Sequence, residues 1–258
     1  MEILQLKNYI DVEIQLTKEE NVKVLGAYEK ALIYIDKHSK ESDVASSKKT
    51  SLNTGPTITI SRETGIGAAN ICTKLIEYFK EKVGNGTQDW IYLDKDLISK
   101  IMEDHNLPSH FKKFLEEEKP PKLDAWFGEI LGISPSKIML LNKTIKTIKQ
   151  LAEYGNVIIV GRGANIVLAN HEKSFHVRLV APLNYRIESA MKLYNLDSKT
   201  ASDFIKSEDE ARKNYISKFF HKKIDEPHHY HAVININLLS HVEIAEMIGH
   251  CVIKRFMS

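Results

Sequence analysis

"TITISRETGIGAAN", from Thr57 to Asn70, decides how this chain is read. Its first four residues are all β-branched, the composition of a strand buried in a sheet. It turns polar at "SRE", passes Gly65 and Gly67, and is followed by Ile71, Leu75, Ile76 and Phe79 at helical spacing. A strand, a glycine turn and a helix in that order aim free N–H groups and a positive dipole end at any anion beyond the strand. A P-loop would place Lys and then Ser or Thr after its last glycine, whereas Ala68, Ala69 and Asn70 follow Gly67 here. The spacing alone therefore leaves two readings open, a phosphate loop and a plain strand-turn-helix.

Working outward, four further stretches read as strands: "WIYLD" (Trp90 to Asp94), "NVIIVG" (Asn156 to Gly161), "SFHVRLVA" (Ser174 to Ala181) and "HAVININ" (His231 to Asn237). The second of these is continuously apolar, as in a strand covered on both faces. Between Lys95 and Gln150 the pattern is mainly helical and is broken at Pro108, Pro120-Pro121 and Pro135. A final helix is expected from about Val242 to Phe256. Strands alternating with helical stretches predict an α/β fold with a parallel sheet covered by helices.

Residues 1–50 read as a small α+β extension and linker, and 51–258 as the main domain. "VEIQL" (Val12 to Leu16) alternates like a half-buried strand, Thr17 and Glu20 have capping-box spacing, and Leu25, Tyr28, Leu32 and Ile35 form a helical stripe. The polar run from Ser39 to Pro56 then reads as a linker, so the remainder is expected to fold without the extension.

The bulk numbers exclude several classes. Of 258 residues, 27% are charged and 43% hydrophobic, the balance of a globular protein. Lys and Arg total 36 against 34 Asp and Glu, a net charge of +2 that gives no argument for nucleic-acid or membrane binding. Cys72 and Cys251 have no ligand spacing and fit a reducing compartment. The first residues carry acids among their apolar positions, unlike a signal peptide, and no apolar run is long enough to span a bilayer. A cytoplasmic protein is expected, with a homodimer left open. "HHYH", with His228, His229 and His231, lacks Cys or carboxylate partners at convincing spacing, so no metal site is assigned.

Six motifs occur in one order: "ITISRETGIG…I", "YLDKDLI", "NVIIVGRGANIVL", "HVRLVAPLNYRIE", "EDEARKNYISKFF" and "YHAVININ". Together, over about residues 57 to 250, they resemble the cytidylate-kinase-like family, a branch of the P-loop nucleoside monophosphate kinases. The resemblance implies a P-loop-type parallel sheet with a helical insertion and lid. It implies transfer of the γ-phosphoryl of ATP, with Mg²⁺ bridging the phosphates, to a nucleoside monophosphate such as CMP or to a related small phosphorylated acceptor.

The resemblance also assigns residues. Arg62, Glu63, Thr64, Gly65, Ile66, Gly67, Ala68, Ala69 and Asn70 form the donor-phosphate loop, the backbone N–H groups from Thr64 to Ala69 cradling the phosphates and Arg62 offering a fork or else pairing with Glu63. Asp94 and Lys100 match the start of the monophosphate-binding region, although Asp94 reads equally as a helix N-cap and Lys100 stands where the family carries Arg. Arg162 follows a buried strand in "GRG", Arg186 matches the arginine at the lid edge, and Asp209 and Arg212 keep the D-x-x-R spacing of the lid, one helical face. These three arginines are the catalytic candidates, with Asp209 on the acceptor. Arg178, inside a strand, is expected to pair with an acid instead.

The chain also departs from the family pattern. Family members commonly read "SRxxGSGG", so a missing Walker lysine is shared, but Ala68 and Ala69 replace the second glycine of the pair and its successor. Gly163 replaces an acid and His231 an Asp. These departures keep a second reading in view, a degenerate kinase that binds nucleotide without turnover as a regulatory module.

Overall fold

The computed structural model describes residues 30–38, 55–84, 89–94, 98, 101 and 135–257. The expected strand at 12–16, the Thr17 to Glu20 capping box, Leu25, Tyr28 and Lys100 lie outside the described residues. In chain order the elements are a helix over residues 30–38 (α1), β1 (Thr57–Arg62), α2 (Ala68–Val83), β2 (Ile91–Leu93), α3 (Pro135–Tyr154), β3 (Val157–Val160), α4 (Ala164–Val167), β4 (Ser174–Val180), α5 (Leu183–Tyr194), α6 (Ser198–Phe220), a 3₁₀ turn (Pro227–His229), β5 (Ala232–Asn235) and α7 (His241–Phe256).

The five strands form one parallel sheet in the order β2-β3-β1-β4-β5. β1 lies in the centre, which is why its "TITI" core is β-branched and wholly buried. Alternation along the strands sorts the side chains onto two faces. Ile58, Ile60, Ile158, Val160, Phe175, Val177 and Leu179 pack under α2 and α7, against Ile71, Leu75, Phe79, Ile244, Ile248 and Val252. Val157 and Ile159 point the other way, toward Ile148, Leu151 and Tyr154 of α3 and Ala164 of α4. Burying an aliphatic side chain of this size contributes about 1.5–3 kcal/mol, so both layers are needed to cover the sheet.

The helix boundaries follow from local chemistry. α3 begins at Pro135, where a missing N–H is harmless. α7 begins at Ser240, whose hydroxyl accepts from the Glu243 N–H while the Glu243 carboxylate accepts from the Ser240 N–H, a complete capping box. α6 begins at Asp197, whose carboxylate accepts from the N–H groups of Lys199 and Thr200.

α1 belongs to the main core rather than standing apart from it. Ala31, Tyr34 and Ile35 are buried among Ile98, Ile101, Ile148, Leu151, Tyr154, Val157 and Ile159. The Tyr34 hydroxyl donates to the carbonyl of Gly155, between α3 and β3. This packing runs against the expectation that the chain after residue 50 folds without what precedes it. A polar linker separates elements in sequence, and it does not stop the helix before it from folding back onto the sheet.

Candidate functional site

In an open α/β sheet, ligands bind beyond the carboxyl ends of the strands, where neighbouring strands send their connections to opposite faces. That point lies between β1 and β3. β1 leads into α2 on one face, and β3 leads into α4 on the other. Their ends are level, because Ile60 pairs with Val160 and the Gly161 N–H donates to the Ile60 carbonyl at 2.9 Å. A cleft opens there, bounded by Ser61 and Arg62 of β1, by residues 161–163 after β3, and by Arg212, Tyr215 and Tyr230.

The floor of this cleft is a tight turn. Gly161, Arg162 and Gly163 are all left-handed, with φ of 86°, 54° and 69°. The two glycines tolerate this, but Arg162 does not do so freely; an L-residue in that region costs about 1–2 kcal/mol. Strain of this kind is retained where the surroundings over-determine it, and functional sites are where it concentrates. A Cβ at Gly161 would lie 2.4 Å from Nη1 of Arg62, so the bare glycine is what lets that guanidinium cross the turn.

The cleft is a concentration of positive charge. Arg62 is held down to about 10 by burial and then by the like charge of Arg212, with Asp94 opposing both. It remains a cation at neutral pH, yet the low value records how poorly this enclosure solvates it. Arg162 reaches the Tyr215 hydroxyl, whose pKa burial raises while the guanidinium beside it pulls the other way. Three arginines on one enclosed cleft present a site for an anion.

Beside the cleft lies the loop of residues 63–67. Ile66 is buried in the core and anchors it, Gly65 and Gly67 take φ of 83° and 68°, and Gly67 caps α2 without any side-chain bond to the first helical N–H groups. A Cβ at Gly65 would meet the Arg186 carbonyl at 2.5 Å, so the loop backbone rests directly on α5. Ala68 is half-buried, and Ala69 and Asn70 are exposed on the first turn of α2.

Asp209 joins the loop to α6. Its Oδ1 accepts from the Thr64 N–H at 2.8 Å and from the Thr64 hydroxyl at 2.6 Å, and its Oδ2 accepts from Nη1 of Arg186 at 2.5 Å. Arg212 donates to the Thr64 hydroxyl and, through Nη2, to Glu208 at 3.2 Å. Arg186 also donates Nε to the Ala181 carbonyl at 3.1 Å and lies 3.5 Å from Glu63, which in turn accepts from the Ala181 N–H at 3.0 Å. Burial works against ionisation of Asp209, but the Thr64 hydroxyl and N–H and the Arg186 guanidinium outweigh it and hold the carboxyl below its ordinary value.

The candidates from sequence thus fall into two groups, which Arg212 joins through Thr64 and Asp209. Arg62, Arg162 and Arg212 converge on the cleft. Glu63, Thr64, Arg186 and Asp209 form an ion-paired hub at the loop, and in this arrangement the Thr64 N–H is committed to Asp209. Asp94 follows β2, close enough to Arg62 to favour its charge, and the Ile98 N–H donates to the Asp94 carbonyl at 3.0 Å as a helix begins.

Arg178 pairs with an acid as expected, donating to Asp225 at 2.5 Å and to Ser61 at 2.9 Å. His231 is a packing residue. It stacks on Phe175 and His176, and its Nδ1 accepts from the His176 N–H at 2.9 Å. Among the described residues no group of three or more His, Cys, Asp or Glu side chains is placed to hold a metal ion.

Sequence reasoning did not single out Tyr215, Tyr230 or Asn165, all of which line the cleft. Tyr215 had a legible signal, since it lies three residues after Arg212 and so on the same helical face. Tyr230 opens the "YHAVININ" motif, but its place at the cleft comes from the chain's return after α6, which brings its hydroxyl to the Ile224 carbonyl at 2.8 Å and to Ser61 at 3.3 Å.

A crystal structure of an uncharacterized protein from Eubacterium ventriosum shares the fold, with a TM-score of 0.59 and 20% identity, covering 78% of this chain and all of that one. Shikimate kinase from Acinetobacter baumannii, in complex with shikimate, aligns at 12% identity and a TM-score of 0.44 over 80% of this chain and 97% of its own. No curated protein matches the sequence. The model of the cytidylate kinase-like family matches residues 57–238, which takes in all five strands of the described sheet, the loop, the arginine cleft and α6. The chain therefore belongs to the cytidylate kinase-like family.

Proposed function

We propose that this protein is a nucleotide kinase that transfers the γ-phosphoryl group of ATP to a nucleoside monophosphate, CMP or a close relative, held in the arginine cleft. The family supports kinase chemistry on nucleotides. The observation that carries the finer reading is the convergence of Arg62, Arg162 and Arg212 on one cleft at the β1–β3 switch point, beside the glycine loop.

Phosphoryl transfer asks the protein for positioning and charge stabilisation more than for covalent chemistry. The first turn of α2, which has no side-chain cap, and residues 65–67 of the loop offer N–H donors to the donor phosphates. Arg162 and Arg212, both lining the cleft, lie where charge on the transferred group can be met by guanidinium forks. Tyr215 fixes the Arg162 side chain. The carboxylates of Glu63 in the loop and Asp209 on α6 already face Arg186. Because both are paired to Arg186, a Mg²⁺ ion would arrive on ATP and keep mostly phosphate and water ligands. When bound, the ion would neutralise charge on the donor phosphates.

Donor phosphates compete with Asp209 for the Thr64 N–H. Nucleotide binding therefore loosens α6 from the loop, or settles on the remaining N–H groups of the turn. Ala68 and Ala69 remove potential contacts, so turnover is expected to be slow, and the arginines take over what the Walker lysine does elsewhere. A coupled ADP-release assay over a panel of nucleoside monophosphates tests the proposal. Acceptor-dependent release is the expected result. ATP binding without release for any acceptor would make the protein a binder only.

A further inference from the structure

One polar group in the cleft has no task in the chemistry above. Asn165 lies in the first turn of α4 and lines the cleft with 6% of its surface exposed. Its side-chain nitrogen, Nδ2, has no hydrogen-bond partner among the described residues. A buried amide donor without an acceptor is destabilising, and such groups persist in native proteins chiefly where a ligand or water completes them. The turn before α4 sets this placement. Gly161, Arg162 and Gly163 are all left-handed, and the N–H groups of Ile166 and Val167 then fold back onto the Gly163 carbonyl at 2.9 and 3.0 Å. Ala164 and Leu168 are thereby turned into the core beneath the sheet, and Asn165 is left on the cleft side.

The cleft thus offers two kinds of recognition. Arg62, Arg162 and Arg212 supply charge, which any small phosphate satisfies. Asn165 supplies a neutral amide, which a bare phosphate does not need. We infer that Asn165 is a specificity-determining contact, its Nδ2 donating to an uncharged oxygen or nitrogen of the molecule whose phosphate the arginines hold. The ligand class is a small phosphate ester with a neutral acceptor atom within reach of the cleft floor, such as a base carbonyl, a ring nitrogen or a sugar oxygen. This inference rests on the reading of the cleft as the acceptor site.

The test compares wild type, Asn165→Ala and Asn165→Leu by calorimetric titration with three probes: the best-binding nucleoside monophosphate of the panel, inorganic phosphate, and ATP with Mg²⁺. Loss of a neutral hydrogen bond should weaken the monophosphate by about 3- to 10-fold. Inorganic phosphate and ATP should stay within about 2-fold. Equal monophosphate affinity in all three proteins would overturn the inference while leaving the kinase reading intact. Equal weakening of monophosphate and inorganic phosphate would also overturn it, since Asn165 would then only support the arginines. A wild type that binds no monophosphate would defeat both readings together. If the variants do not fold, a crystal of the wild type with the monophosphate decides. A non-phosphate acceptor within about 3.2 Å of Nδ2 is expected, and a larger separation overturns the inference.

Discussion

A half-buried carboxylate and a buried histidine give this protein separable responses to acid. Asp209 is held below its ordinary pKa of 3.8, after burial is offset, by Thr64 and Arg186. A carboxyl depressed in the folded state contributes stability that is present above its unfolded pKa and lost as pH falls through the folded one. Melting temperature should therefore drop on acidification below about pH 4, and Asp209→Asn should remove that portion of the slope while lowering stability at neutral pH. His176 works in a higher window. Burial, the neighbouring His231 and His171 depress it from 6.5 to about 4, against a backbone contact at Leu168 that opposes them. Its neutral ring shares a hydrogen bond with the Thr59 hydroxyl at 2.8 Å. Because the unfolded chain takes up the proton first, stability is full above 6.5 and falls by about 3 kcal/mol as pH drops toward 4. His176→Gln should flatten the melting curve between those values relative to wild type, and an unchanged slope would assign the effect to His231. Neither window is legible in the sequence. Asp209 and Thr64 are 145 positions apart, and His176 and Thr59 are 117 apart. Pairings at such separations are fixed by sheet order rather than by local pattern.

At the scale of elements, the strands and the last helix were legible for a simple reason. Thr57–Arg62, Val157–Val160 and Ser174–Val180 are β-branched or apolar runs with turn residues after them, and buried parallel strands need little else. α1 was legible as a helix stripe but not in its destination. Leu32 and Ile35 present the same apolar face whether they cover a small separate unit or the main sheet. The packing of Ala31, Tyr34 and Ile35 on α3 and β3 gives the prediction. A chain shortened to begin near Asn53 should lose several kcal/mol by urea unfolding, at about 1.5–3 kcal/mol for each large apolar side chain left uncovered. One that retains residues 28–258 should keep most of its stability. Equal midpoints would show that α1 contributes nothing to the core. α6 is a second case. Its D-x-x-R spacing announced a lid, and residues 206–227 dock on the loop through Asp209 and Arg212. These few polar bonds hold it more weakly than the sheet holds β3. Hydrogen exchange should therefore be faster in residues 206–227 than in Val157–Val160, and saturating ATP should change it most near Asp209. Equal protection in the free protein would contradict a lid.

For the whole molecule, fold and site were legible to different degrees. The sheet order places β1 beside β3, and that adjacency brings Arg62 of one strand end and Arg162 of another into the same cleft, with Arg212 descending from α6. The sequence offered each arginine separately, through motifs, and could not say that Arg186 belongs to the loop hub while the other three share a chamber. The central claim is that these cleft arginines carry the charge of the transferred group in place of a lysine. Its most direct measurement is the steady-state rate of ADP release by wild type and Arg162→Ala, with the preferred monophosphate varied at saturating ATP and Mg²⁺. An interaction made chiefly in the transition state predicts a fall in kcat of about 10²–10³ with the fold intact by melting temperature and a much smaller change in KM. Robust wild-type turnover undiminished by Arg162→Ala would contradict the account.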